Sequence, residues 1–282
     1  MAKIKRVAVI GAGAMGSGIA QVAAVSGYEV KLFDVYEAAL VKALQGIKGN
    51  LNKLTAKGKI GAEDEAAALG RLHITTEFVE AVQDADIVIE AALEDIQTKQ
   101  NIFRQLCQHC KKEAILGTNT SSLSITEIAS ATDRQGSVIG IHFMNPVPVM
   151  KGVEIIPGKL TAKQTTDASV EFVTSLAKEA ILAVDYAGFI VSRLVDALFN
   201  EAARCIQDGN SPEEIDKAVK LCLNHPMGPC ELMDLAGVDI VYNGLLTMER
   251  DFGDQYKPAK MLKQMVRAGT LGRKTGRGFY TY

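Results

Sequence analysis

The sequence predicts an α/β chain in two parts: a doubly wound sheet of alternating strands and helices, then a second, all-helical domain. Three observations carry that expectation. A glycine-rich turn lies between a β-branched strand and a helix in "RVAVIGAGAMGSGIAQVAAVSGYEVKLFD", from Arg6 to Asp34. Short apolar strands then alternate with helical stretches as far as Asp185. Beyond that point every long segment has helical spacing. The 282 residues exceed the roughly 100–200 of a single domain, and the change of character places domains at 1–186 and 187–282.

In the first part, Val7 to Ile10 reads as a strand. Gly11, Gly13 and Gly16 follow in G-x-G-x-x-G spacing, with Ala14 and Met15 between them. Helix formers occupy Ile19 to Val25, Gly27 ends the helix, and Val30 to Phe33 form a second strand closed by Asp34. The glycine spacing alone is weak evidence. A strand before it, a helix after it and an acid about 20 residues on make it a dinucleotide-binding turn of Rossmann type. Gly11 permits the tight turn, Gly13 lets a pyrophosphate approach the backbone, and Gly16 lets helix and strand pack closely. The helix N-terminus offers N–H groups and a partial positive charge to the phosphates. Asp34 is placed to accept both hydroxyls of an adenosine ribose and to repel a 2′-phosphate. NAD is therefore the expected cofactor.

Residues 36–70 read as helical, with turns at Gly58 and Gly61. His73 to Thr75 is a short strand, "ADIVIEAA" a buried strand, and "QTKQNIFRQLCQHC" an amphipathic helix. "AILGTNTSSLSITEIA" gives a strand, a polar loop and a helix; "GSVIGIHF", "GVEIIP" and "EAILAV" give three more strands of a parallel sheet. In the second part "AGFIVSRLVDALFNEAARCIQDG", "SPEEIDKAVKLCL" and "GPCELMDLAGVDIVYNGLLTMERDF" are helical, with no strand before the last residues.

Composition narrows the function classes. With 48% hydrophobic and 23% charged residues and a net charge of -2, the chain has no general pull toward nucleic acid or an anionic membrane. No apolar run approaches the roughly 20 residues of a membrane span. "MAKIKRVAVIGAGAMG" places basic residues before an apolar run, but glycines break that run, so it does not read as a signal peptide. Five cysteines make no disulfide framework in a chain this long, and a reducing cytoplasm is expected. Cys107 and Cys110 form a lone C-x-x-C around His109, and Cys222, His225 and Cys230 flank a turn. Neither pattern completes a metal site, so no metal is expected. His73 reads as a strand-end residue and the methionines as core filler.

"IGIHFMNPVPVMKGVEII", from Ile139 to Ile156, is an apolar pair of strands around a proline-broken turn. One imidazole, His142, and one carboxylate, Glu154, interrupt it. Taken alone, the two fit a core histidine held by a structural glutamate. That is the reading the two residues alone favour; a proton-transfer pair is the alternative, since imidazole has an unperturbed pKa of about 6.5 and a neighbouring carboxylate can fix its tautomer.

Six motifs in order, "VIGAGAMGSGIAQ", "IEAALED", "TNTSSLSITEIA", "HFMNPVPVMKGVEII", "NHPMGPCEL" and "GRKTGRGFY", resemble the 3-hydroxyacyl-CoA dehydrogenase family over essentially the whole chain. The resemblance is greatest to its stand-alone bacterial 3-hydroxybutyryl-CoA branch. It implies reversible NAD-dependent oxidation of (S)-3-hydroxybutyryl-CoA to acetoacetyl-CoA, with His142 as base and acid and Glu154 supporting it. It also assigns Ser121 to the substrate oxygen, although Ser121 is equally a helix-capping candidate beside Ser122 and Ser124. Glu94, Lys99, Asn119 and Lys274 match positions around the cofactor; as solvated charges, Glu94, Lys99 and Lys274 would need no such role. Asn145 either touches nicotinamide or caps its turn. Asn50 and Lys57, with Lys53 one helical turn from both, match the contact with the nucleotide end of coenzyme A; an exposed basic helix face is the plainer reading. The family places an Asn where this chain has Ser192 in "GFIVSR", which shortens a substrate contact. The acyl chain is expected between the domains and a homodimer through the helical domain. Longer acyl-CoA thioesters, free 3-hydroxy acids and an idle NAD-binding structural protein are the alternatives. The intact His142–Glu154 pair argues against the last, and the lysines near residue 53 against free acids.

Overall fold

The computed structural model describes residues 4–282. The chain forms two compact units, the first ending at Asp185 and the second running from Tyr186 to Tyr282.

The first unit contains β1 (Arg6–Ile10), α1 (Ala14–Val25), β2 (Glu29–Phe33), α2 (Glu37–Ala56), α3 (Ala62–Gly70), β3 (Leu72–Thr75) and α4 (Phe78–Val82). It continues with β4 (Ile87–Glu90), α5 (Ile96–His109), β5 (Ile115–Thr118), α6 (Ile125–Ala129), β6 (Val138–Phe143), β7 (Gly152–Pro157), α7 (Lys163–Ser175) and β8 (Glu179–Leu182). The eight strands make one sheet in the order β3-β2-β1-β4-β5-β6-β7-β8. This is the doubly wound, Rossmann-like arrangement that the alternation of elements predicts. Strands β4, β5 and β6 are buried at every residue, which is why their sequences read as nearly unbroken apolar runs. The core beneath them gathers Val9, Ile19, Leu32, Ile89, Ile141 and Phe172.

Two local expectations need correction. The sheet is parallel only from β3 to β6: β7 pairs antiparallel with β6, and β8 follows the direction of β7. Eight residues separate β6 from β7, whereas a parallel return needs a crossover of about a dozen or more. Helix α1 also begins at Ala14, ahead of the expected Ile19, and runs through two glycines that disfavour helix. Close packing requires both. A Cβ on Gly16 would lie 1.8 Å from the Gly11 carbonyl oxygen, and one on Gly18 2.8 Å from Val147 Cβ.

The second unit is helical: α8 (Val191–Gln207), α9 (Pro212–Cys222), α10 (Pro229–Ala236), α11 (Val238–Phe252) and α12 (Lys260–Ala268). The long run "GPCELMDLAGVDIVYNGLLTMERDF" is two helices, broken at Gly237, whose φ of 107° only glycine adopts freely. Phe199, Ala203, Met233, Val241, Leu245 and Met248 form the core. Two buried carboxylates tie the C-terminal segment down. Asp216 accepts from the Cys230 N–H and the Tyr280 hydroxyl, and Asp234 from the N–H groups of Phe279 and Tyr280.

A third carboxylate is different. Asp196 on α8 is 8% exposed, and among the described residues it has no hydrogen-bond or ion-pair partner. Gly244 on α11 makes room for it, since a Cβ there would lie 2.5 Å from Oδ2. Burial pushes its pKa up from 3.8 to about 7. Because the folded value lies above the unfolded one, this group favours the fold most below about pH 3.8, and that stability is lost as pH rises to about 7. Asp196→Asn therefore stabilises the helical unit at pH 8, on the order of a few kcal/mol, and far less at pH 4. Denaturant unfolding at the two pH values measures the difference; an equal effect at both removes the buried charge as its cause.

Candidate active site

The carboxyl ends of β1, β4, β5 and β6 lie at one edge of the sheet, and the turns that follow them carry the polar residues. The order of the strands switches sense between β1 and β4, which run parallel, the place where open α/β sheets bind ligands. Gly11, at φ 102°, lies flat against β4: a Cβ there would meet the Ala91 carbonyl oxygen at 2.6 Å. Gly13 is exposed, and its Cβ direction is open space. It starts α1 with no side chain capping the first N–H groups. Ala14 is exposed as well, while Met15 turns back and packs on the core. At the end of β2, Asp34 accepts from the Ala12 N–H at 2.8 Å and from the Tyr36 N–H at 3.0 Å, which fixes its carboxylate beside the turn.

A second cluster joins β4, β5 and α5. Glu90 ends β4, fully buried, and accepts from Lys99 Nζ at 2.8 and 3.0 Å and from Thr118 Oγ1 at 2.7 Å. Lys99 is only 1% exposed, so it is no solvated charge; it also lies 3.3 Å from Glu94. Glu94 accepts from the Ser121 N–H at 2.9 Å and from Thr120 Oγ1 at 2.5 Å, with Ser121 Oγ at 3.3 Å. Burial pushes the Glu94 carboxyl up, but Lys99 and these donors outweigh it and hold it below the usual carboxylate range. The capping role that Ser121 shared with its neighbours falls to Ser124, which accepts from the Glu127 N–H at the start of α6. Asn119 ties the cluster to β6: its Oδ1 accepts from the Phe143 N–H at 2.8 Å, one residue from His142.

His142 and Glu154 face each other across β6 and β7 as register partners. Nδ1 lies 2.7 Å from Glu154 Oε2; the His142 side chain is 8% exposed and the carboxylate fully buried. With Glu154 ionised, and so only an acceptor, this contact puts the proton on Nδ1 and the lone pair on Nε2. The turn after β6 leads into a cavity of about 530 Å³. Gly13, Ala14 and Ser17 line one side, Lys42, Gly46 and Asn50 of α2 another, and Asn145 to Pro148 a third. Asn50 also donates to Gln21 at 3.2 Å.

A model described as "3-hydroxyacyl-CoA dehydrogenase, NAD binding domain" matches residues 6–186, and one described as the C-terminal domain of the same dehydrogenase matches 188–282. The chain belongs to the 3-hydroxyacyl-CoA dehydrogenase family. A 3-hydroxybutyryl-CoA dehydrogenase of Clostridioides difficile is 46% identical over 98% of this chain and 99% of its own. The human mitochondrial hydroxyacyl-coenzyme A dehydrogenase is 40% identical over 99% of this chain and 91% of its own. Among solved structures, the (S)-3-hydroxybutyryl-CoA dehydrogenase of Ralstonia eutropha superposes with a TM-score of 0.94, at 41% identity and 99% coverage of both chains. The protein is thus an oxidoreductase, a 3-hydroxyacyl-CoA dehydrogenase, with NAD as its cofactor. The dehydrogenase's residues fit that cofactor: the uncapped start of α1, the open side of Gly13 and the fixed carboxylate of Asp34 suit a pyrophosphate and a ribose.

Two of the lysines singled out near α2 do not lie with this group. Lys53 and Lys57 follow Asn50 on α2 but do not line the cavity, and Lys57 is the residue that ends the helix. In the helical unit, Lys274 Nζ lies 2.7 Å from Asp239 Oδ2, and Ser192 is half-buried on α8. Three further dehydrogenase residues escaped the sequence reading: Glu90, Lys42 and Lys178, the last buried beneath the Asn145–Pro148 turn. Glu90 carried a signal, an acid closing a buried strand as Asp34 does. Lys42 carried a weaker one, four and eight residues before Gly46 and Asn50 on the same helix.

Proposed function

We propose that this dehydrogenase interconverts (S)-3-hydroxybutyryl-CoA and acetoacetyl-CoA, with His142 as general base and acid. The buried 2.7 Å contact between His142 and Glu154 carries the proposal. In oxidation, His142 Nε2 takes the proton of the 3-hydroxyl as the C3 hydrogen leaves with its electron pair; in reduction it returns that proton to the forming alkoxide. Bound NAD supplies the acceptor, and in the reverse direction the donor, of that hydride. Glu154 holds the ring's tautomer and stabilises the imidazolium. Ser121, held through its backbone N–H by Glu94, turns its hydroxyl from Glu94 to donate to the substrate oxygen. The glycine turn with Ala14 and Met15, Asp34, Glu94, Lys99, Asn119 and Asn145 form the cofactor side, with Lys274 as a further candidate from the helical unit. The 530 Å³ cavity takes the coenzyme A arm, with Asn50 and Lys42 on its wall and Lys53 and Lys57 toward the nucleotide end. Ser192 serves the acyl end.

The first unit on this reading is the NAD domain and the second the substrate and dimerisation domain. A homodimer through the helical unit belongs to the same reading, with exposed Leu221, Leu223, Ile240 and Leu246 as candidates for its interface. Free cysteines throughout support a cytoplasmic setting. The names of the relatives support the C4 substrate. The deciding assay follows NADH consumption with acetoacetyl-CoA and, in parallel, with acetoacetate. Turnover of the thioester alone is expected; equal turnover of both sinks the CoA reading.

Asp34→Ser removes a charge facing a 2′-phosphate, so the preference for NADH over NADPH narrows or reverses. If the unaltered chain uses NADPH equally well, Asp34 does not set the choice.

The cavity ranks the lysines. Lys42→Ala raises KM for acetoacetyl-CoA several-fold, a loss on the order of 1 kcal/mol for an exposed charge contact. Lys57→Ala, outside the lining, raises it less for acetoacetyl-CoA and not at all for a thioester lacking the nucleotide. The reverse ranking would move the coenzyme A arm along α2.

A further inference from the structure

Lys178 precedes β8, where a lysine reads as a surface charge, yet it is only 8% exposed. Its Nζ donates to the carbonyl oxygens of Val147 at 2.5 Å and Met150 at 2.6 Å. Among the described residues no carboxylate lies within ion-pair reach of it. Burial draws its pKa below the ordinary lysine value. An ammonium taken from water, which is costly, is retained here by two carbonyl dipoles of one turn.

That turn needs an anchor. Pro146 and Pro148 bring no N–H to it, and its own backbone bonds reduce to Val149 and Met150 donating to the Pro146 carbonyl. From the other side it is stopped by α1, where the bare Gly18 backbone lets Val147 approach so closely that a Cβ would meet it at 2.8 Å. Asn145 to Pro148 are the third side of the cavity. The turn is therefore gripped between a wall that cannot yield and a buried cation that pulls on its carbonyls.

We propose that Lys178 is a positioning residue for the thioester: by holding Val147 and Met150 it sets where the Asn145–Pro148 wall stands, and so how tightly the cavity grips the coenzyme A arm. The proposal rests on the reading that this cavity takes that arm. It assigns no contact between Lys178 and substrate; the lysine acts through the turn.

Steady-state kinetics of Lys178→Met, Lys178→Gln and Lys178→Arg test it. Lys178→Met is expected to raise KM for acetoacetyl-CoA about five- to tenfold, with KM for NADH and kcat at saturation changed by no more than about two- to threefold. Lys178→Gln keeps N–H donors without the charge and falls between. Lys178→Arg keeps both and recovers most of the affinity. A purely structural lysine would instead lower thermal stability and the active fraction with KM unmoved, and that result in any folded variant overturns the proposal. If Lys178→Met does not fold, the KM of Lys178→Gln decides. Absence of acetoacetyl-CoA turnover in the unaltered chain overturns both this role and the CoA reading; turnover with unmoved KM in the variants overturns this role alone.

Discussion

Replacing His142 with alanine lowers kcat for acetoacetyl-CoA reduction by roughly 10²–10⁴, the range for a positioned acid or base, while NADH still binds. Glu154→Gln keeps the shape and one hydrogen bond but removes the charge opposite the imidazolium, so it is strongly impaired too. If Glu154 serves catalysis through the ring it touches at 2.7 Å, as proposed, the double variant is expected to be little worse than His142→Ala alone. Nucleotide fluorescence titration and stopped-flow reduction separate binding from chemistry. Additive losses, or near-normal turnover in either folded single variant, return the pair to a structural role.

Lys99→Met produces the largest loss of stability. It leaves Glu90, fully buried, with one hydroxyl and one N–H and no cation. Breaking a buried pair from one side costs about 3–5 kcal/mol, because the stranded charge keeps its desolvation penalty. The Glu90→Gln/Lys99→Met double variant regains much of it. Denaturant unfolding followed by far-UV circular dichroism reads both. If Lys99→Met unfolds like the unaltered chain but binds NADH weakly, Lys99 is a ligand residue first and a structural one second.

How much was visible in the sequence depended on how local each interaction is. The glycine turn and its acid lie within one βαβ unit, so their spacing carries the geometry. His142 and Glu154 lie on adjacent strands of one hairpin, and alternation alone puts both on the same face. The reversal of β7 was legible only from loop length. Which lysines of α2 line the cavity was not, because a 20-residue helix repeats the same face every turn and sequence does not say where the ligand ends. Lys99 and Lys178 were missed as buried groups for a related reason: their partners, a strand-end carboxylate and two backbone carbonyls, are brought to them by the fold. The break at Gly237 was hidden because one glycine within a helical pattern resembles a tolerated interruption.

The chain boundary at Asp185 has an evolutionary corollary. The nucleotide turn, the buried Glu90–Lys99 pair and the imidazole–carboxylate contact are all encoded upstream of it, and the last of these spans only twelve positions. A single crossover at the boundary passes all of them to the offspring from one parent, whereas a crossover inside the Met144–Lys151 turn separates His142 from Glu154. On the proposed division of roles, exchange of helical units between relatives is a route by which new acyl preferences can arise in one step without reinventing the proton transfer. On that same reading, chimeras joined at Asp185 with the helical unit of a longer-chain relative are expected to keep the NADH binding of the first parent while their acyl preference follows the second.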